Sequence, residues 1–324
     1  MKKSLIALAV LSAAGFAHAQ SNVTIYGQMD VQIAKRTGAT TSMGAGDNNK
    51  LGFKGEEDLG GGLKAIFQAE MRFDPDTGTT EAAPNRPLFQ GQTRVGLKGD
   101  FGMVRVGRGL TVVQEAIGGF EPWSFVRSRA ALTSYTLANY NGDPLYAGSS
   151  QNRWSNGLWY NSPNMSGFQF GGTIGTKEAQ GTGTPTANPY SLSGTYSQSG
   201  ISLGAGYERN AVETKFWYLG GSFMATPELK LMASYSRQDQ GATKPVNPNT
   251  KGWVLGGQYA VGTGTVLLGY GQIKPDGSNA NKRFSIGYEH NLSKRTYLYV
   301  DAYNEKPPVG STVNSFDVGI NHRF

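Results

Sequence analysis

The chain has 324 residues, a formal net charge of +7 and no cysteine. The missing thiols exclude disulfide frameworks, thiol nucleophiles and thiolate metal sites together. With 46 glycines, 16 tyrosines and 15 phenylalanines the composition favours turns and strands over helices. The basic residues stand singly, without a basic helix or arm, so no nucleic-acid partner is expected.

The first residues read as an export leader. Lys2 and Lys3 give a positive start, Ser4–Ala17 a mostly apolar stretch, and Ala17-His18-Ala19 a small-residue cleavage site. Residues 1–19 are therefore expected to be removed, leaving Gln20–Phe324. The apolar stretch is too short to span a bilayer as a helix, and no later run approaches the roughly 20 apolar residues that a span requires. Losing Lys2 and Lys3 leaves the remaining chain still positive.

From Val23 onward the dominant signal is a two-residue period. In Val23–Ile33 the odd positions are apolar apart from Gly27, and Thr24, Tyr26, Gln28, Asp30 and Gln32 share the other face. Lys50–Phe53 and Leu63–Phe73 repeat the beat, flanking Gly55–Gly62, whose Glu56-Glu57-Asp58 run is read as a solvated turn rather than a metal site. Further alternating stretches are Gln92–Lys98, Gly102–Arg108, Arg153–Ser162, Phe168–Thr176, Tyr190–Gln198, Ile201–Glu208 and Thr214–Phe223. Lys230–Arg237, Gly252–Ala260, Thr265–Gln272, Lys282–His290, Thr296–Tyr303 and Val313–Phe324 complete sixteen. Very short joins such as Ser199-Gly200 alternate loosely with long polar loops such as Lys177–Asn188. Short turns at one rim and long loops at the other describe an all-β, 16-stranded antiparallel transmembrane barrel, in which only alternate residues meet lipid and the mean hydropathy stays polar. Sixteen strands leave an aqueous lumen.

Leu110–Asn152 refuses the pattern. It far exceeds the ~4–6 residues of a usual connection, yet Phe120, Trp123, Phe125, Tyr135, Tyr140 and Tyr146 give it enough apolar surface to fold. It is expected to fold into the bore and narrow it. The last strand ends on Phe324 and must pair with the first, because lipid cannot satisfy an open sheet edge.

These residues resemble the Gram-negative trimeric general porins, of the β-proteobacterial type. The likeness rests on Val23-Thr24-Ile25-Tyr26-Gly27, Leu51–Ala65, Val95-Gly96-Leu97-Lys98-Gly99, Phe101-Gly102, Gly107-Arg108, Tyr160-Asn161-Ser162-Pro163 and Phe324. It implies a homotrimer in the outer membrane, among its lipids and lipopolysaccharide, with small hydrophilic solutes and ions passing by passive diffusion. It also implies that Phe324 is the signal read by the barrel-assembly machinery, and that acids on the inserted loop face a basic ladder on the wall.

Carried over by position, the ladder falls on Lys50, Gly91 and Arg153. Gly91 departs from the pattern. Arg94 lies three residues on, which puts it on the opposite face of a regular strand, whereas its alternation with Val95 and Leu97 turns it inward. Arg108 matches the Gly-Arg before the loop. The acids are Glu115 and Glu121, with Asp143 a third that carries no motif. Opposed charges across a narrow gap would order water and dipolar solutes; the bland reading of each is a surface ion pair or a loop anchor. The positive balance suggests weak anion preference. With His290 and His322 the only histidines beyond the leader and no nucleophile motif, neither an enzyme, a cofactor nor a metal is expected. A substrate-selective channel and a non-conducting structural or adhesive barrel are the alternatives.

Overall fold

The computed structural model describes residues 22–81, 86–125, 129–140, 142, 152–178, 184–241 and 248–324. The leader and Asp143 lie outside them. The wall begins with β1 (Asn22–Arg36), β3 (Lys50–Gly60), β4 (Leu63–Arg72), β5 (Thr93–Gly99), β6 (Gly102–Leu110), β7 (Arg153–Asn161), β8 (Phe168–Gly175) and β9 (Tyr190–Gln198). It continues with β10 (Ile201–Arg209), β11 (Lys215–Met224), β12 (Leu229–Asp239), β13 (Thr250–Val261), β14 (Gly264–Pro275), β15 (Asn281–Asn291), β16 (Thr296–Lys306) and β17 (Val313–Arg323). Each pairs antiparallel with its neighbours, and β17 returns to β1 in register from Gln28↔Arg323 to Arg36↔Ser315. The sixteen strands thus close an antiparallel barrel.

Two features depart from the sequence reading. A four-residue strand, β2 (Ser42–Ala45), adds to β1 beyond the point where β3 stops: β3 pairs with Asn22–Gln28 and β2 with Val31–Ala34. The acidic run is not a turn. β3 continues to Gly60, so Glu56 lies on the inner face and bonds Lys64 Nζ at 3.0 Å. The reversal falls to Gly60, Gly61 and Gly62, all at positive φ, a run of left-handed backbone that glycine alone adopts without strain.

The outer surface carries the apolar residues of the alternation, including Val23, Ile25, Leu219 and Leu255, all more than half exposed. A belt this large on a soluble protein would aggregate; on a barrel it is the lipid-facing band. Among the described residues no helix is long and apolar enough to cross a membrane, so the strands do the crossing.

The apolar core lies inside the barrel, between the long loop and one arc of wall. The loop opens with α1 (Val112–Ile117), capped by Thr111, whose Oγ1 accepts from Gln114 N at 3.3 Å and donates to Glu208 of β10. Val113, Ile117 and Phe120 pack with Phe216 and Tyr218 of β11, and Leu132 and Tyr135 with Val254 and Ile273 of β13 and β14. These strands are apolar on both faces for that reason: lipid covers one and the loop the other. Glycine on the wall admits the loop; a Cβ on Gly204 would lie 2.5 Å from a Phe120 ring carbon. Burying each large side chain here contributes ~1.5–3 kcal/mol.

Candidate functional site: the loop and the facing wall

The loop is tied around the inner wall by directed bonds as well as by apolar packing. Val112 N donates to Thr173 Oγ1 of β8 at 3.1 Å, Gln258 Nε2 of β13 to Pro122 O at 2.6 Å, and Trp123 Nε1 to Asp301 Oδ1 of β16 at 3.0 Å. Arg283 of β15 donates to the Arg129 and Ala131 carbonyls and pairs with Glu305 at 2.6 Å. Gln238 Nε2 of β12 donates at 2.7 Å to Ala138 O, two residues past the end of the short helix α2 (Thr133–Thr136). The loop therefore covers the arc from β8 to β16.

The uncovered arc is β1 and β3–β6, and its inner face is basic. Alternation turns Lys50 and Lys54 of β3, Lys64 of β4, Arg94 and Lys98 of β5 and Arg105 of β6 inward. Their neighbours Phe53, Val95, Leu97 and Val106 face out. Glu115 of α1 meets this arc. Arg105 grips it through two parallel bonds, Nη1 to Oε1 and Nη2 to Oε2, both 2.9 Å, and Arg94 Nη1 adds a third at 2.8 Å. Burial alone would push the Glu115 carboxyl up, but the Arg105 and Arg94 guanidiniums outweigh it and hold the carboxyl below its usual range. Gln68 accepts from Arg94 Nε at 3.2 Å and donates to Tyr26 Oη at 2.7 Å, fixing the Arg94 head from behind.

Of the expected basic residues, Arg94 faces the lumen and Lys50 lies half-buried on the inner face, in register with Gln28 and Arg72. Arg108 does not face water. Gly107, at φ 127°, forms a bulge that shifts the β6–β7 register and breaks the alternation, and Arg108 instead donates to Gln90 O at 3.0 Å and Ser155 Oγ at 2.7 Å. Arg153 is also buried, 4% exposed, where the loop leaves and rejoins the wall, among Arg72, Arg108, Glu70 and Glu81. Glu121 also lies out of the water. Fully buried, it accepts from Leu132 N at 2.6 Å and Phe125 N at 3.1 Å, so it anchors the loop to itself. Phe324 closes the barrel: its backbone pairs with Gly27 at 2.9 and 3.1 Å and its ring covers that glycine.

The sequence reading missed Arg105. Its signal was present, since Met103, Arg105 and Gly107 alternate with Val104 and Val106 as Arg94 does with Val95.

A model of the Gram-negative porin family matches residues 5–306. Outer membrane porin protein 32 of Delftia acidovorans is 33% identical, with 92% of this chain and 88% of that protein covered. Among solved structures, an anion-selective porin from Comamonas acidovorans superposes with a TM-score of 0.79 at 25% identity, covering 94% of this chain and 100% of that one. A trimer form of OmpT from Vibrio cholerae, 14% identical, shares the fold at a TM-score of 0.70 over 94% of this chain and 99% of its own. Family and fold point to a channel rather than an enzyme. A closed barrel with a lipid-facing belt, a loop folded into its bore and this match belongs to the Gram-negative porin family, as a general diffusion porin of the outer membrane.

Proposed function

We propose that this porin is a homotrimer whose channels pass small hydrophilic solutes and ions passively with a weak preference for anions. The observation that carries the reading is the Glu115 clamp. The loop's acid is neutralised by Arg94 and Arg105, which leaves Lys50 and Lys54 as the surplus charge along the passage, Lys98 being paired with Glu56 at 3.7 Å. Fixed positive charge beside a narrow aqueous path lowers the barrier for anions. The fold shared with an anion-selective porin from Comamonas acidovorans and with a trimer form of OmpT from Vibrio cholerae supports the same reading.

In this reading residues 1–19 are an export leader and Phe324 is recognised by the barrel-assembly machinery. The mature barrel sits among outer-membrane lipids and lipopolysaccharide. Planar-bilayer recording of purified protein in a potassium chloride gradient tests the selectivity. A reversal potential of anionic sign with conductance linear in salt is expected. A cationic sign rejects the preference, and block by one solute at low concentration would replace it with a selective channel.

A further inference from the structure

On the short-turn side of the loop the inner wall changes character from one arc to the next. Beside Glu115 it is basic; under α1 and the turn Gly118–Phe120 that follows, it carries hydroxyls and amides. The register sets Gln169 of β8 opposite Thr195 of β9, and Ser202 of β10 opposite Ser222 of β11, while Ser193 lies opposite Gly171. All share the face that meets the loop: a Cβ on Gly171 would touch Val112, and one on Gly204 or Gly220 would touch Phe120. With Phe120 they border a cleft of about 360 Å³, within the ~300–1,000 Å³ usual for small-ligand sites.

Two features separate this cleft from packed wall. Ser222 is only 7% exposed and Ser193 is half-buried, yet neither hydroxyl has a hydrogen-bond partner among the described residues. Such groups are costly to shelter from water unless something else bonds them. On the loop side, a Cβ built on Gly119 would meet no atom within 4 Å, so the turn borders open space rather than a neighbour.

The lining selects the ligand. A hydroxyl donates, accepts and rotates to suit, and an amide offers both functions side by side. These groups match a solute whose own polar groups are hydroxyls, and the Phe120 ring offers its C–H groups an apolar surface. Glu115 and Lys230 are the charged residues of the described lining, and Glu115 is taken up by Arg94 and Arg105. An anion meets denser positive charge on β3–β6. Short turns face the periplasm in such barrels.

We propose that this cleft is a subsite for neutral polyhydroxylated solutes of monosaccharide size, on the periplasmic half of the passage. The inference rests on the water-filled lumen of the porin reading, but on neither conduction nor ion preference. Sugar binding and reversal potential therefore fail separately.

Detergent-purified barrel titrated with D-glucose and followed by saturation-transfer difference NMR tests it. Wild type should give a signal that saturates. S193A/S222A removes two hydroxyls that bond no described residue, so it should close as wild type does, checked by heat-modifiable electrophoretic mobility. Its half-saturating concentration should rise roughly tenfold, the effect of two lost hydrogen bonds. Gly119→Leu, with a side chain projecting into the cleft, should abolish the signal. Thr24→Val, on the basic arc, should leave it unchanged, and citrate, drawn to that arc, should not displace glucose. Equal half-saturation in S193A/S222A and wild type would overturn the proposal. So would a wild-type signal that never saturates, a full signal in Gly119→Leu, loss in Thr24→Val, or displacement by citrate.

Discussion

Arg105 of the wall and Glu115 of the loop meet inside the barrel with both terminal guanidinium nitrogens matched to both carboxylate oxygens, each at 2.9 Å. Arg94 completes the triad. This bidentate geometry fixes direction as well as charge, so the first turn of the loop is held against the wall it faces. Glu115→Gln leaves two guanidiniums beside a neutral amide. The reversal potential of that variant should move severalfold in permeability ratio toward anions, with the barrel still closed. An unchanged potential would mean the triad does not border the conducting path.

Lys50 and Arg153 separate two roles that the sequence treated as one. Lys50→Ala removes a half-exposed lumen charge and should lower anion preference. Arg153→Ala removes a buried charge from among Glu70, Glu81, Arg72 and Arg108, and should cost of order 3 kcal/mol of stability while leaving the reversal potential nearly unchanged. Heat-modifiable gel mobility reads the first quantity and bilayer recording the second.

Glu121→Ala orphans the backbone N–H groups of Leu132 and Phe125. Each buried donor left unsatisfied costs about 1–3 kcal/mol, concentrated in the loop rather than the wall. The expected result is a noisier open current with an undiminished mean conductance. A quiet channel would show that the apolar contacts alone hold the loop.

The pH response has two opposed parts. Burial beside Gln28 raises the Asp47 carboxyl to about 6, against hydrogen bonds from Asn48 N and Gln28 that favour the anion. A carboxyl raised on folding penalises the folded state while ionised. That penalty is full above about 6 and fades as pH falls toward the ordinary value of 3.8. Glu115 is lowered on folding, so its favourable contribution persists until the pH falls below the usual carboxylate range. Between pH 7 and 5 the lumen should therefore lose the Asp47 charge while the triad holds, and anion preference should rise. Asp47→Asn should flatten that change; an identical profile in the variant would assign it elsewhere.

The wall was legible because its physics is periodic. Lipid outside and water inside impose a two-residue beat, and every predicted strand overlaps a strand of the barrel. What escaped was non-periodic. The loop's buried acid and its lumen-facing acid look alike in sequence, since Glu121 and Glu115 differ only in what the folded loop brings to them. The bulge at Gly107 reversed the side of Arg108 without changing its motif. The docking arc did leave a trace: Phe216 and Tyr218 alternate with Trp217 and Leu219, so β11 is apolar on both faces, which a water-lined wall does not require.

The seam between Gln28 and Arg323 joins residues from opposite ends of the chain. Until the last strand has crossed into the periplasm, the growing sheet has two ragged margins that hydrocarbon cannot accommodate. Completion is thus a single late event shared by the whole polypeptide, and a copy missing its final residues would fail as a unit instead of forming a smaller pore.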